Sequence, residues 1–492
     1  MVLLLLLLGL LGLLLFLLHG RKRRQGEPPL IKGWVPFLGN TLQFGKNAHK
    51  FLEDQKRKNG DVFTVLIAGK YMTFIMDPLL YPSIIKHGRQ LDFHELTERL
   101  APLVFGYPSM KTFPGLSEQI SRAYRFLQGD SLTSLTESMM GNLMLVFCQD
   151  HLDPGQGWRS GNLYEFCSSV MFEATFLTIY GRPQTGSRHQ HMDQLLKDFL
   201  QFDAMFPYLS AEVPIWLLGR TKTVRQKLIS HFLPQRLSCW SDKCQFIQAR
   251  LELFNLYDKL RDVDKAAHHF TILWASVGNT LPATFWATFD LVAHPEALKV
   301  VRQEILDVLR ASGVEFSPDR ELTLSREQLD KLVFLESSIK ESLRLSSASM
   351  NLRVAQEDFS LRLDAERSVA VRKGDIITLY PQSMHLDPEI YEDPQTFHFD
   401  RFVEDGREKT DFRKHGQKLK YYLMPFGSGS SKCPGRYFAV NEIKQFVCLL
   451  LLYLDLQLED GQNRPSSDHS RAGLGIQQPS SPVLFRYRPR AE

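Results

Sequence analysis

A glycine-rich turn around one cysteine is the clearest chemical signal in the sequence. Cys433 is preceded by Phe426 and Gly429, is followed by Gly435, and stands just before the apolar run 436–455. Glycines at such positions let a backbone turn tightly and lie close against a flat ring system. A cysteine at the start of a helix meets free N–H groups and the positive end of the helix dipole, which favour thiolate over thiol. We therefore expect Cys433 to bind a metal, with Phe426 packed near its sulfur.

Two plainer interpretations of this turn exist. Residues 427–432 look like a phosphate loop, but the spacing Gly-x4-Gly-Lys-Ser/Thr is absent and no clear βαβ strand precedes them. A lone cysteine in such a turn is otherwise an ordinary buried residue. The spacing Phe-x2-Gly-x3-Cys-x-Gly is more specific than either interpretation.

Two further segments accompany the cysteine turn. Glu341 and Arg344 lie three residues apart, so on a helix they share one face and can form an ion pair. In the helical run 273–282, Pro282 has no N–H, which leaves the carbonyl of Gly278 without its helical donor and predicts a kink. The amide of Asn279 can donate a hydrogen bond but relays protons less well than a hydroxyl.

With these three segments the chain resembles the cytochrome P-450 superfamily along almost its whole length. The resemblance implies the cytochrome P-450 fold, which is mainly α with small β-sheets, behind an N-terminal membrane anchor. It also implies haem b with the Cys433 thiolate as iron ligand, and electrons from NADPH delivered by NADPH–cytochrome P-450 reductase. Such a thiolate pushes electron density onto iron and favours O–O cleavage. Phe426, Gly429 and Gly435 are then expected to contact the haem.

The resemblance gives the Glu341–Arg344 pair a structural role. In the family this pair is buried and joined by a later arginine, which corresponds to Arg401, although Phe399 stands where proline is usual. We expect the Glu341/Arg344/Arg401 triad to hold the underside of the cysteine loop without taking part in the chemistry. Loss of one member would strand a buried charge.

The chain departs from the family pattern at two positions. The usual acid–threonine pair for proton delivery aligns with Gly278 and Asn279. We predict that the Gly278 carbonyl, Asn279 and an ordered water take this role; the alternative is that Asn279 only packs or contacts substrate. Ser431 replaces an arginine that pairs a haem propionate, and Arg353 is the best remaining partner, with Lys432 a weaker one.

Both departures resemble the branch that holds sterol 7α-hydroxylases, sterol 12α-hydroxylase and prostacyclin synthase, and the oxysterol 7α-hydroxylases are the nearest likeness. The resemblance implies 7α-hydroxylation of oxysterols and 3β-hydroxysteroids with O2, in bile acid and steroid metabolism. Alternatives are a haem-thiolate isomerase of the prostacyclin synthase type, a sterol 12α- or cholesterol 7α-hydroxylase, and a non-catalytic sterol binder. The segments that carry the likeness are 26–34, 166–181, 274–282 and 423–436.

A sterol substrate needs an apolar cavity with one or two polar anchors. Asn279 is expected above the iron. The other predicted walls are Trp274, Ala275, Ser276, Leu352 and 473–476.

The N-terminus predicts a membrane anchor. Residues 2–18 are nearly all leucine, and the basic cluster 21–24 follows them. A run of about 17 apolar residues just spans a thin bilayer, and the basic cluster behind it favours a cytosolic catalytic domain. A cleaved signal, the alternative, would carry its basic residues before the apolar run. We predict an anchor over 1–20, a basic and proline-rich hinge over 21–36 and a haem-thiolate domain over 37–492, in the endoplasmic reticulum (microsomal) membrane.

Composition excludes other classes. Lys+Arg minus Asp+Glu is 59 − 55 = +4, a charge that the cluster 21–24 supplies alone, so no nucleic-acid partner is expected. Six cysteines in 492 residues are too few for a disulfide scaffold. Hydrophobic residues at 43% fit a packed globular chain.

The elements that position these residues are predicted to be mostly helices, including one from Pro295 and one over 436–455. Two surface features are open to two interpretations. The apolar segment 202–220, broken by prolines, is either a set of buried turns or a loop that dips into the bilayer. The basic segment 407–420 is either a solvated loop or a docking patch for the acidic reductase. The strands are predicted near 62–67, 71–75, 376–379 and 483–487.

Overall fold

A computed structural model describes residues 9–10, 12, 14, 20–152, 157–183, 188–459 and 463–490. The predicted anchor 1–20 lies almost entirely outside these residues. Within them, every helix is too short or too polar to cross a membrane.

Helices make up most of the described chain, and the predicted fold class, mainly α with small sheets, is confirmed. Short 3-10 turns connect several of them, at Pro78–Leu80, Met110–Thr112, Tyr124–Leu127, Ile215–Leu217, Gly429–Ser431 and His469–Arg471. The α-helices are Thr41–Lys46, Ala48–Asn59, Tyr81–Ile85, His94–Phe105, Leu116–Ala123, Gly129–Asp150, Leu163–Tyr180, Arg188–Asp203, Phe206–Ser210, Thr221–Ser230, Pro234–Ser238, Gln245–Asn255, Asp262–Val277, Thr280–Ala293, Pro295–Ala311, Arg326–Asp330, Val333–Ser346, Pro381–His385 and Arg436–Tyr453.

The strands form small sheets, of which the largest has the order β1-β2-β3-β11-β8-β4. A second sheet has the order β16-β17-β5, and the remaining sheets are two-stranded. The strands are β1 Leu30–Ile31, β2 Val62–Ile67, β3 Lys70–Ile75, β4 Leu91–Asp92, β5 Arg159–Asn162, β6 Arg182–Pro183, β7 Trp240–Ser241, β8 Asn351–Ala355, β9 Phe359–Arg362, β10 Ser368–Val371, β11 Ile376–Leu379, β12 Val403–Glu404, β13 Arg407–Glu408, β14 Arg413–Lys414, β15 Gln417–Lys418, β16 Leu454–Leu458 and β17 Leu484–Pro489.

The predicted strands agree with those observed to within two residues. β2 and β11 have the predicted bounds, while β3 begins one residue earlier and β17 begins one residue later and ends two later. The predicted helix 436–455 ends at Tyr453, because the chain then turns directly into β16.

The proline-rich hinge packs on the large sheet. β1 pairs in parallel with β2, with Leu30 opposite Thr64. Glu27 pairs with Arg372, and Arg21 pairs with Asp375. The hinge is therefore attached to the domain at three points and is not a free spacer.

The main hydrophobic core lies where four helices meet. Thr280–Ala293 packs against Leu163–Tyr180, Val333–Ser346 and Arg436–Tyr453. Leu163–Tyr180, Thr280–Ala293 and Arg436–Tyr453 carry long apolar runs, and a helix that is apolar on nearly all sides is stable only when other elements surround it. Each of these helices, or the loop before it, contributes a residue to the site described next.

The segment 202–220 combines both of its predicted characters. Phe202, Phe206 and Leu209 are buried in the core. Trp216 and Leu217, on the 3-10 turn Ile215–Leu217, are 72% and 57% exposed. Its first half is thus a buried turn, and its second half presents apolar side chains to the outside.

Candidate active site

One cavity brings most of the predicted site residues together. It has a volume of about 400 Å³, inside the range usual for small-molecule sites. Cys433 lies on its wall together with Asn279 from the helix break at 278–279. The further predicted residues on the wall are Ala275, Ser276, Leu352, Arg353, Phe426, Gly435 and 473–476.

The cysteine loop is held by its own backbone. The N–H of Cys433 donates to the carbonyl of Phe426 at 2.8 Å, which closes the turn. Gly429 has φ +59, and a Cβ there would lie 2.9 Å from Ile85 Cγ2, so both conformation and space require glycine. Gly435 has φ −87, and the nearest atom to a Cβ built on it is 4.0 Å away. Glycine at 435 therefore leaves open space beside the cavity.

The sulfur of Cys433 lies at the start of the helix Arg436–Tyr453, as predicted, but the expected preference for thiolate does not follow from the protein alone. Burial raises the pKa of the Cys433 thiol. The backbone N–H groups of Gly435 and Arg436 and the charge of Arg436 act in the opposite direction and do not outweigh it. A bound metal ion, which deprotonates a coordinating thiol, would reverse this balance.

The cavity wall also carries donors that suit an anionic group. Arg353 is 5% exposed, and its Nη2 donates to the carbonyl of Ser428 at 2.9 Å. Burial lowers its pKa, and no ion pair to it occurs among the described residues. Asn351 Nδ2, on the same wall, is buried without a hydrogen-bond partner in the described chain. A thiol, an unpaired guanidinium and the space at Gly435 together fit a haem with its propionates.

The other propionate candidates differ in position. Lys432 is exposed and does not belong to the cavity wall. Ser431 lies on the wall, and its hydroxyl donates to the carbonyl of Ser428 at 3.1 Å. Arg353 is therefore the strongest of the predicted partners.

The helix that crosses the cavity breaks where Pro282 predicts it. Asp262–Val277 ends before Gly278, and Thr280–Ala293 begins after Asn279. Within the described residues, no backbone N–H donates to the carbonyl of Gly278, in agreement with the missing donor of proline. Gly278 itself is not among the cavity-lining residues, so any action of its carbonyl on the cavity requires an intervening group.

Asn279 connects the helix break to the loop on the opposite wall. Its Oδ1 accepts a hydrogen bond from the N–H of Ile476 at 2.9 Å. A Cβ at Gly475 would lie 2.2 Å from that oxygen, so only glycine allows the contact. The amide Nδ2 has no partner in the described chain and remains available as a donor. Asn279 therefore does more than fill space.

Glu442 is a site residue that the sequence analysis missed. It is 1% exposed, lies on the cavity wall and accepts hydrogen bonds from Thr175 Oγ1 at 2.9 Å and Thr280 Oγ1 at 3.1 Å. Burial raises its pKa to about 8, and the two threonine hydroxyls only partly oppose this. The available signal was one acidic residue inside the apolar run after Cys433.

The hydrogen bonds around Glu442 indicate which form it takes. Thr280 Oγ1 carries one hydrogen but lies within bonding distance of two oxygens, Ser276 O at 2.8 Å and Glu442 Oε1 at 3.1 Å. A protonated Glu442 satisfies both, because its own O–H then donates to Thr280. Near neutral pH the geometry and the raised pKa agree on a neutral carboxyl group beside the cavity.

Trp274 was predicted as a cavity wall, and the structure places it elsewhere. Its Nε1 donates to Asp203 Oδ1 at 2.9 Å, and its ring stacks on Phe206 with centroids 4.0 Å apart. Adjacent residues on a helix point about 100° apart, so Ala275 faces the cavity while Trp274 faces the segment around Asp203. The prediction for Trp274 is wrong.

The predicted Glu341/Arg344/Arg401 triad is present. Arg344 donates through Nε and Nη2 to the two oxygens of Glu341, both at 2.8 Å, and Arg401 Nε donates to Glu341 Oε1 at 2.8 Å. Glu341 and Arg344 are completely buried. Arg344 Nη1 also donates to the carbonyl of Pro394 at 2.6 Å, and Arg401 Nη1 donates to that of Glu392 at 2.6 Å. None of the three lines the cavity, which fits an architectural role.

Comparison with known proteins agrees with this site. The Cytochrome P450 family profile matches residues 125–485. Cytochrome P450 7B1 of Mus musculus is 43% identical over 97% of this chain and 94% of its own. The cholesterol 7-alpha-monooxygenase of Cricetulus griseus is 42% identical over 95% of this chain and 94% of its own. The 25-hydroxycholesterol 7-alpha-hydroxylase of Rattus norvegicus is 42% identical over 84% of this chain and 99% of its own.

The profile covers most of the chain, including the cysteine loop, the helix break and all three members of the triad. The relatives extend the similarity to nearly the full length. With a cysteine and an unpaired guanidinium on the wall of one cavity, the chain belongs to the cytochrome P450 family.

Proposed function

We propose that this chain is a haem-thiolate monooxygenase that hydroxylates oxysterols and 3β-hydroxysteroids at the 7α position, in bile acid and steroid metabolism. The observation that carries the proposal is the placement of Cys433 and Asn279 on the wall of one largely apolar cavity. Family membership supports the reaction type. The names of relatives at 42% identity, a 7-alpha-monooxygenase and a 7-alpha-hydroxylase, support the position of attack.

The residues of the cavity wall fall into two groups: those that would hold the haem and those that would contact the sterol or O2. Cys433 would hold the iron of haem b, and Arg353 would hold a propionate, with Asn351 Nδ2 as a neighbouring donor. When bound in this way, haem supplies the activation of O2 with electrons that a reductase takes from NADPH. Phe426 shields the sulfur from water.

The sterol is bound mainly by apolar contact. Ala275 and Leu352 offer apolar surface, and the loop 473–476 lies on the wall that Asn279 contacts. Because Asn279 Oδ1 is already engaged by Ile476, its Nδ2 is the group left to donate toward O2 or toward an ordered water. A polar donor placed among apolar wall residues would also limit how a sterol hydroxyl can be placed.

Glu442 and Thr280, both on the cavity wall, are the proposed source of protons for the reaction. Glu442 holds a proton at its carboxyl oxygen, and the hydroxyl of Thr280 connects that oxygen to the carbonyl of Ser276, which is on the cavity wall. The Ser276 carbonyl accepts a hydrogen bond but does not relay a proton, so Thr280, which itself lies on the cavity wall, would pass the proton from Glu442 to a water in the cavity when its hydroxyl turns away from that carbonyl. The Glu442–Thr280 pair replaces the acid–threonine pair that Gly278 and Asn279 cannot form.

The decisive experiment is product analysis. The purified chain is incubated with reductase, NADPH and a panel of oxysterols, and the position of the new hydroxyl is read by mass spectrometry and NMR. We expect 7α-hydroxylated products that require NADPH and disappear in Cys433→Ser. Product formed without NADPH would indicate an isomerase, and attack only at carbon 12 would contradict the proposed position.

The role of Asn279 has its own test. Asn279→Leu removes both the donor and the bond to Ile476, and we expect the amount of product per NADPH to fall, because a group positioned to direct protons is lost. Asn279→Thr is the matched variant, because it introduces the hydroxyl that the family usually has at this position. Full, well-coupled turnover by the leucine variant would contradict the role.

The membrane and reductase assignments rest on surface features. The apolar run 2–18 would place the chain in the endoplasmic reticulum membrane, and Trp216 and Leu217 are exposed on a loop that could contact lipid. In the basic segment, Lys418 and Lys420 are exposed, whereas Lys414 is buried and pairs with Asp387. Lys414 therefore does not contribute to a docking patch, and Lys418 and Lys420 are its strongest members.

Electron transfer tests the docking patch. Lys418→Gln with Lys420→Gln should slow reduction by the reductase several-fold at low salt and little at high salt, because the Debye length falls to about 3 Å at 1 M. Lys46→Gln with Lys50→Gln removes the same charge elsewhere and serves as control. Equal slowing in both double variants would contradict a patch at 418–420.

A further inference from the structure

A second cleft opens where the hinge meets the large sheet. It has a volume of about 640 Å³ and is separate from the cavity that contains Cys433. Its wall combines the hinge, the β2–β3 turn, the helix His94–Phe105 and the segment before β11. The charged residues that line it are Arg21, Lys70, Arg99, Arg372, Lys373 and Asp375.

The charges of this cleft are unbalanced. With Arg24 and Asp358 beside it, which pair with each other, the group has six cations and four carboxylates: Asp375 on the wall, and Glu27, Glu212 and Asp358 next to it. Lys70 and Arg99 share Glu212 at 2.8 and 2.7 Å. Lys373 is exposed, and no ion pair to it occurs in the described chain. Two positive charges in this group therefore have no partner of their own.

One of the cations is built into the cleft as a buried group. The Arg21 side chain is 8% exposed, and its guanidinium lies 4.9 Å from the centre of the Tyr71 ring. Its Nη2 donates to Asp375 Oδ2 at 2.9 Å, while its Nε is buried with no hydrogen-bond partner in the described chain. A buried donor without a partner is costly, so it points to a ligand or a water.

Two segments that contact the cleft also expose aromatic side chains. The N–H of Gly69, a wall residue, donates to the carbonyl of Phe37, whose side chain is 66% exposed. Glu212, which pairs with Lys70 and Arg99 of the wall, belongs to the segment that exposes Trp216 at 72%. Exposed aromatic residues around a basic cleft are typical of a surface that lies in the headgroup region of a bilayer.

We propose that this cleft binds the phosphate of an anionic phospholipid. The chemistry is that of a phosphate oxygen accepting hydrogen bonds from guanidinium and ammonium groups, while the acyl chains extend along the exposed apolar residues. Lys70 lies on the large sheet, Arg99 on the helix His94–Phe105, and Glu212 on the segment that exposes Trp216. A headgroup bound where these three side chains meet would therefore contact all three elements. The apolar flanks favour a lipid over a soluble phosphate compound.

Vesicle binding tests the proposal on the full chain. The variant Arg99→Gln with Lys373→Gln removes two exposed cations and should lose affinity about 30-fold for vesicles that contain about one fifth phosphatidylserine, since each cation near such a surface is worth about fivefold. Binding to pure phosphatidylcholine vesicles should not change. Lys46→Gln with Lys50→Gln removes the same charge from the neighbouring helices. Equal losses in the two double variants would mean diffuse attraction and would overturn the proposal.

A second measurement separates a lipid from a free anion. Phosphorus-31 NMR would compare inorganic phosphate with dihexanoyl phosphatidic acid, each added to the protein in solution. Broadening of the lipid signal that is weaker in the double variant supports the site. Broadening of inorganic phosphate to the same degree would overturn the lipid assignment, and absence of broadening for both would overturn the site itself.

Discussion

Two buried glutamates, Glu341 in the triad and Glu442 beside the cavity, have opposite surroundings. Glu341 is bound by the guanidinium groups of Arg344 and Arg401, with three contacts of 2.8 Å. Glu442 is equally buried but is bound only by the hydroxyls of two threonines. Since neither side chain reaches solvent, their partners alone decide what each carboxyl group can do.

The difference separates architecture from chemistry. A carboxylate between two guanidinium groups has its charge compensated and fixes the position of both arginines. A carboxyl group held by hydroxyls has no such compensation, so burial favours its neutral form and raises the pKa of Glu442 to about 8. Such a group can hold or give up a proton near neutral pH, and its position on the cavity wall gives that property a use.

The largest effect is expected in the triad. Glu341→Gln leaves the guanidinium groups of Arg344 and Arg401 without a counter-charge, and we expect a loss of about 3–5 kcal/mol in the free energy of unfolding. Chemical denaturation measures this loss.

An exposed pair of the same type provides the control. Asp307 and Arg310 are also three residues apart on a helix, with a contact of 3.1 Å, but both are more than half exposed. Asp307→Asn should cost less than about 1 kcal/mol. Similar losses in the two variants would mean that burial of the triad contributes nothing.

The next largest expected change in the free energy of unfolding is that of a Glu442 variant, and it is a gain, not a loss. With a folded pKa of about 8 against the ordinary 4.5, the folded chain keeps a proton that the unfolded chain releases, so stability falls as pH rises from 4.5 to 8. Glu442→Gln removes this dependence. The variant should match the native chain below pH 4.5 and exceed it at pH 8 by about 4 kcal/mol.

Glu336 supplies a matched control with the reverse behaviour. Burial raises the pKa of Glu336, but the charges of Lys444 and Lys340 outweigh this and lower it to about 2. A depressed pKa adds stability above pH 4.5 that is lost as the pH falls toward 2. Glu336→Gln should therefore destabilise the chain at neutral pH. If Glu336→Gln and Glu442→Gln changed the stability in the same direction, the difference in their partners would not determine the pKa values of the two carboxyl groups.

Turnover distinguishes a Glu442 that supplies protons to the reaction from one that has only a structural role. If the carboxyl group supplies protons, Glu442→Gln should form several-fold less product per NADPH even though it is more stable at pH 8. A structural role would leave this ratio unchanged. A stabilised variant with unchanged coupling would contradict the proposed proton path.

The two glutamates also show how far sequence reasoning reaches. The Glu341–Arg344 pair follows from a spacing of three on one helix, and the strands 62–67 and 376–379 follow from dense runs of β-branched and aromatic residues. The partners of Glu442 lie 267 and 162 residues away along the chain. No local pattern reports such contacts, so only the presence of one acid in an apolar helix was visible.

Trp274 illustrates the second limit. Its neighbour Ala275 lines the cavity, as predicted, and one residue along a helix decides between the cavity and the opposite face. The choice depends on Asp203, which lies 71 residues earlier and accepts the indole N–H. The helix and its break could be predicted from Pro282, whereas its rotation about its own axis could not.

The smallest expected effects are those of replacing, one at a time, the two threonines that bind Glu442. Thr280→Val and Thr175→Val each remove one hydroxyl at nearly constant volume, and each should cost about 1 kcal/mol in the free energy of unfolding. Thr175→Val should raise the pKa of Glu442 further, because the Thr175 hydroxyl donates to its carboxyl group and lowers that pKa in the native chain. Only Thr280 also lies on the cavity wall, so only its loss should reduce product per NADPH. Equal coupling in the two valine variants would place the proton path elsewhere and would leave Glu442, like Glu341, a part of the architecture.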